Sequence, residues 1–119
     1  MQGNRNVLCF HVPGTLSANI VAKWAAAFDG RVKHISAVAS NDSDATMIFG
    51  VSTDTDEILA STTIGDSGTP SEFDVDNWAS TNPTADFSKG EILVLTVDYD
   101  GSAGTAADDL TVVITLLEG

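Results

Sequence analysis

Phe87-Ser88-Lys89-Gly90-Glu91-Ile92-Leu93-Val94-Leu95-Thr96-Val97-Asp98-Tyr99-Asp100-Gly101, then Ala107-Asp108-Asp109-Leu110-Thr111-Val112-Val113-Ile114-Thr115-Leu116-Leu117, is the stretch that decides the reading of this chain. Two aliphatic, β-branched runs are joined by a loop of small residues from Gly101 to Ala107, a pattern that predicts an antiparallel hairpin. Both runs are apolar on both faces, so each strand needs cover on two sides. One side packs into the chain's own core. The other calls for a second layer or another chain, which favours an assembling protein over a freestanding enzyme.

Outward from this stretch, Gly, Pro, Asn, Asp and Ser divide the sequence into further short β-like runs at residues 6–12, 20–28, 31–40, 46–52 and 57–64, beside 91–98 and 109–117. The pattern predicts an all-β, antiparallel sandwich of seven or eight strands. The first run alternates, with Leu8, Phe10 and Val12 on one face and Cys9 and His11 on the other. Residues 20–28 carry alanines that favour helix, but Asp29-Gly30 and the next run favour an extended arm, and a hairpin is expected about that dipeptide. Residues 67–86 hold Pro70 and Pro83 and read as a long connection, with one short strand or helical turn near 75–79 and Trp78 as its anchor.

A chain of 119 residues suits one sandwich domain over 1–119, with a short polar N-terminal arm at 1–5. Serine and threonine fill 24 positions and charged residues only 18%, as expected for a folded β module with hydroxyl-rich faces. The net charge of −12 is uneven. Arg5, Lys23, Arg31 and Lys33 against Asp29 make residues 1–39 +3, whereas sixteen acids against Lys89 make the remainder −15. Such a surface repels phosphate backbones, so no nucleic acid partner is expected. Cys9 is the only cysteine, which excludes an intrachain disulfide and a thiolate cluster. No apolar run reaches bilayer length and no secretory signal is visible, so a soluble product without a membrane partner is expected.

Chemistry-bearing constellations are sparse. Asp54-x-Asp56-Glu57 and Asp98-x-Asp100-Gly101 echo the spacing of calcium loops, but neither supplies the further ligands such a loop needs. Asp108 and Asp109 more naturally bond backbone amides at a turn, although the hairpin would let them join Asp98 and Asp100 about an ion. His11 and His34 lack a nearby acid or second histidine in their strands, which suits surface or interface roles. Nucleophile-elbow, phosphate-loop and dinucleotide fingerprints are all missing, so no catalytic residue, cofactor or metal site is assigned and an enzyme is not expected. Trp24, Trp78, Tyr99 and the five phenylalanines could form a sugar platform, but the phenylalanines sit in apolar runs that suit core packing.

The order Phe10-x-x-Pro13-Gly14-x-Leu16, then Ala26-x-Phe28-Asp29-Gly30-x-Val32, then residues 87–98 with Gly101-Ser102-Ala103-Gly104 and Asp109-Leu110-Thr111-Val112, resembles the small virion proteins of tailed bacteriophages, in particular capsid decoration (cement) proteins. The resemblance implies a jelly-roll-like sandwich, often a homotrimer, that binds the major capsid protein on the outer face of the shell and stabilises it. It also implies a place on the virion after synthesis in the host cytoplasm. A fibre or spike module that binds host-surface glycans is the alternative, and a calcium-dependent sandwich a third. On the charge split, Arg5, Lys23, Arg31 and Lys33 are expected to face the capsid.

Overall fold

The computed structural model describes residues 5–64 and 67–119. Nine strands run in the order β1 (Arg5–Thr15), β2 (Ile20–Ala25), β3 (Gly30–Val38), β4 (Thr46–Val51), β5 (Asp54–Thr63), β6 (Ser71–Phe73), β7 (Asp86–Phe87), β8 (Ile92–Asp98) and β9 (Asp108–Glu118). They form two antiparallel sheets. Sheet A has the order β1-β9-β3-β6, with β7 also on β3, and sheet B the order β2-β8-β4-β5. A five-stranded and a four-stranded sheet with this interleaved order make a jelly-roll sandwich. The expected polar arm at 1–5 lies outside the described residues except for Arg5, which already pairs with Leu117 as the first residue of β1.

The long connection at 67–86 is present, but its short strand falls at Ser71–Phe73, ahead of the expected 75–79, which form turns instead. Residues 20–25 are strand rather than helix because their alternation suits an edge of sheet B. Ile20, Ala22 and Trp24 pair with Val97, Leu95 and Leu93 and pack on the core, while Val21, Lys23 and Ala25 point outward.

Neither expected hairpin forms. Strands β8 and β9 lie in opposite sheets: β8 pairs with β2 and β4, and β9 with β1 and β3. The intervening residues 99–107 are too many for a tight reversal and instead cross the sandwich, whose sheets lie about 10 Å apart. The same is true about Asp29-Gly30, since β2 belongs to sheet B and β3 to sheet A. Gly30 is required there for space. A Cβ would collide with the Leu117 carbonyl and come within 3.2 Å of Phe28 and Phe87, whose rings sit 5.9 Å apart. The one tight hairpin between neighbouring long strands is β4–β5, where Val51 pairs with Asp54.

Alternation drives this arrangement. Leu93, Leu95 and Val97 of β8 face Leu110, Val112, Ile114 and Leu116 of β9 across the core, joined by Phe49, Met47, Ile35 and Val32. Among the described residues no polar or charged side chain is buried. Fully burying one such aliphatic side chain stabilises by about 1.5–3 kcal/mol, whereas an exposed ion pair contributes about 0–1 kcal/mol. Apolar packing therefore sets the fold.

The second apolar face of β8 is covered within the chain at Val94, which is 2% exposed although it lies outside the core cluster. It pairs with Lys23 on one side and Gly50 on the other. Strand β5 bulges between its pairings at Asp54 and Leu59, so its backbone passes over Gly50 on this outer face. A Cβ on Gly50 would collide with the Asp54 carbonyl and lie 2.8 Å from the Glu57 nitrogen, both backbone atoms. Gly50→Ala should consequently lower stability by about 1–3 kcal/mol, the usual cost of overpacking. Urea unfolding measures it, and an unchanged midpoint would show that the crossing yields freely.

Candidate functional surface

Sheet register decides which of the sequence-selected cations share a surface. Arg5 pairs with Leu117 and Leu117 with Arg31, so the two arginines flank Leu117 in one row on the outer face of sheet A. Two strand spacings separate them, about 10 Å. Strand β3 carries a bulge between Val32 and His34 that leaves Lys33 as the extra residue. Val32 and Ile35 stay in the core while Arg31, Lys33 and His34 all lie toward the outside. Lys23 stands apart. It is exposed on the outer face of sheet B, on the opposite side of the sandwich.

The rest of the sheet A face is largely uncharged. Val7, Cys9 and His11 of β1 lie beside Thr115, Val113 and Thr111 of β9, with Val7 61% exposed and Cys9 a free, exposed thiol. The histidines lie on this face in different rows. The His11 Nδ1 is 2.7 Å from the Thr111 hydroxyl, and the His34 Nε2 is 3.5 Å from a Glu72 carboxylate oxygen. The acid near His34 comes from β6, a partner that only the folded sheet reveals.

Charge also separates along the molecule, which measures 44 × 25 × 24 Å. The β1–β2, β3–β4, β5–β6 and β8–β9 connections gather at one end, stitched by bonds such as Leu16 N–H to the Ala107 carbonyl and Asp44 N–H to the Thr105 carbonyl, both 2.9 Å. Asp42, Asp44, Asp98, Asp100, Asp108 and Asp109 occupy this end, with no lysine or arginine among its described residues.

Of the carboxylates considered for an ion, Asp98 and Asp109 bond backbone amides, as does Asp44 nearby. Asp98 accepts from the Asp100 N–H at 3.0 Å, and Asp44 from the Thr105 N–H at 2.7 Å. Asp109 accepts from the Gly14 N–H at 2.7 Å and from the Ser40 hydroxyl at 3.1 Å. These two bonds, with a smaller attraction from His11, hold the Asp109 carboxyl below its ordinary range. At the other end the Asp54 carboxyl is raised, first by hydrogen bonding to Asp56 and then by lost hydration and like charge. Among the described residues no group of three or more His, Cys, Asp or Glu is placed to hold a metal ion.

One concavity adjoins the cations, a groove of about 410 Å³ between the β3 bulge and the long connection, lined by Arg31, Val32, Lys33, Asp74, Val75, Trp78 and Thr84. Trp78 anchors the connection as its sequence context predicts, being 9% exposed. Val75 is missed by periodicity because it stands alone between Asp74 and Asp76, yet it is 65% exposed beside the tryptophan. An isolated aliphatic residue in an acidic turn is the signal that marks it. The remaining aromatic side chains belong to the core or, like Trp24 and Tyr99, pack against it partly buried.

No protein-family model matches the chain, and no curated protein matches it in sequence. Solved structures do match it in shape. A chain of the cyanophage Pam1 capsid asymmetric unit aligns with a TM-score of 0.60 at 13% identity, over 99% of this chain and 87% of that one. A chain of the capsid of Ralstonia phage GP4 aligns with the same score and identity, over 100% of this chain and 87% of that one. The likeness is one of fold, and it spans both sheets.

Asp109 gives this surface a pH test. A carboxylate held below its unfolded value of about 3.9 contributes stability that is fully present above that value and lost as pH falls through the lower folded value. Asp109→Asn should melt below wild type at neutral pH, and the two curves should converge as the pH falls toward about 2. Parallel curves of melting temperature against pH would show that the Gly14 and Ser40 bonds do not favour the charged form.

Proposed function

We propose that this protein is a structural component of a bacteriophage virion: a capsid decoration, or cement, protein that binds the outer face of the major capsid protein lattice and stabilises the shell. The observation that carries this reading is the jelly-roll match over nearly the whole chain to chains from two phage capsids. It agrees with the motif order read in the sequence. The reading includes self-association as a homotrimer, a place on the capsid surface, and no catalysis or cofactor.

Within this reading the outer face of sheet A meets the shell. Arg5 and Arg31 flank Leu117, Lys33 stands beside them, and Val7 adds exposed aliphatic surface in the neighbouring row. Lys23, on the opposite face, is left for contacts between copies or for solvent. The purely acidic end points away from an anionic surface. Rim charges of this kind chiefly speed and orient docking, while desolvated apolar contacts supply most of the affinity.

Attachment to capsids assembled without this protein tests the reading. The doubly reversed variant Arg5→Glu with Arg31→Glu should attach roughly tenfold more slowly and with weaker salt dependence. Asp54→Lys with Asp56→Lys should change attachment little. Loss of attachment in the second variant with none in the first would turn the proposed orientation over, and failure of the unaltered protein to attach would remove the cement function itself.

A further inference from the structure

We infer that the groove between the β3 bulge and the long connection receives an extended, carboxylate-bearing segment of the shell protein. Arg31 and Lys33 take its carboxylates, and Val75 with the edge of Trp78 takes an aliphatic side chain between them. The inference rests on the function proposed above for the source of the segment and adds the chemistry that recognises it.

The first argument is charge. The chain has seventeen acids and five lysines and arginines, so partners for a cation abound. Yet among the described residues no lysine or arginine forms an ion pair, and the Glu72 carboxylate instead lies 3.5 Å from the His34 Nε2. The acids nearest the groove are oriented by local hydrogen bonds and keep their charge. Asp86, opposite Arg31 in the sheet, accepts from the Thr84 hydroxyl at 2.6 Å, and Asp74 accepts from the Asp76 N–H at 3.0 Å. Two cations thus line a concave surface whose lining holds the single carboxylate of Asp74, a net positive balance that suits an anionic occupant.

The second argument is shape. On the edge of β3 away from β9, β7 pairs with Gly30 and Arg31 and β6 with residues from Ile35 to Ala37, so no strand pairs with that edge between them. The bulge falls in that gap, and bulges commonly re-aim side chains beside binding sites. The groove opens beside the sheet A face that the proposal turns toward the shell. Trp78 is too buried to offer its ring face to a sugar, whereas Val75 is open to an aliphatic contact. A peptide fits that combination better than a glycan.

The test follows the Trp78 indole N–H and the amides of residues 31–33 by NMR in the intact chain. The probe is a blocked peptide with two aspartates flanking a leucine. Saturable shifts are expected at those groups, weakened roughly tenfold or more by Arg31→Glu with Lys33→Glu, less by Val75→Ser, and lost when lysines replace the peptide's aspartates. Shifts indifferent to the charge reversal would overturn the inference. So would preferential saturation by a uronic acid oligosaccharide, or movement of the same signals with the protein's own concentration, which would make a second copy the occupant. Capsid attachment separates the two levels. Equal attachment by wild type and Arg31→Glu with Lys33→Glu removes the groove's role and leaves the cement function standing. Failure of wild type to attach removes the shell protein as the source, while the peptide titration still decides the groove's chemistry.

Discussion

The pairing of β9 with β1 along one edge and β3 along the other is the contact on which the rest of this structure depends. It presents Leu110, Val112, Ile114 and Leu116 to the core as one row, against which β8 closes from the opposite sheet. It also sets the surface. Arg5 and Arg31 are 26 positions apart in the chain and share a row only because Leu117 lies between them. The Gly14 bond to Asp109 depends on the same register, since both residues sit in the irregularity between the Val12–Leu110 and Thr15–Asp108 pairs.

The sequence made the strands legible because alternation is a local property. Leu8, Phe10 and Val12 face inward as their spacing requires, and the limits of most strands lie within a few residues of the runs. Sheet membership was not legible. Asp29-Gly30 has the same composition whether a chain reverses in one sheet or crosses to the other, and here the glycine answers to the Leu117 carbonyl packed against it. The loop after Asp98 offered the same ambiguity. This explains the divided fate of the four cations. Arg5, Arg31 and Lys33 fall on one face because β1 and β3 both flank β9, whereas Lys23 rides on a strand of the other sheet.

Energetics divide along the same line. With no polar side chain buried among the described residues, the interior specifies the fold through shape and apolar area, and ionic contacts contribute little to it. The cations are consequently free of internal duty, and so is the exposed Val75. Hydrogen bonding by aspartates is concentrated at chain crossings, where Asp44, Asp98 and Asp109 hold backbone amides that no ladder serves. Acidic residues thus fasten the loops, while the few basic ones form no ion pair among the described residues.

The pairing of the first strand with the last also governs how the protein comes into being on a ribosome. Among the described residues strand β1 pairs with β9 alone, and β3 shares it, so sheet A stays open until β9 has emerged. Sheet B can start earlier from the β4–β5 hairpin, yet its inward face then has nothing to close against. Non-local pairing of this kind slows folding and leaves strand edges exposed meanwhile. Order of synthesis therefore matters: a nascent chain that lacks β9 leaves β1 without its ladder and one edge of β3 open, so sheet A closes late.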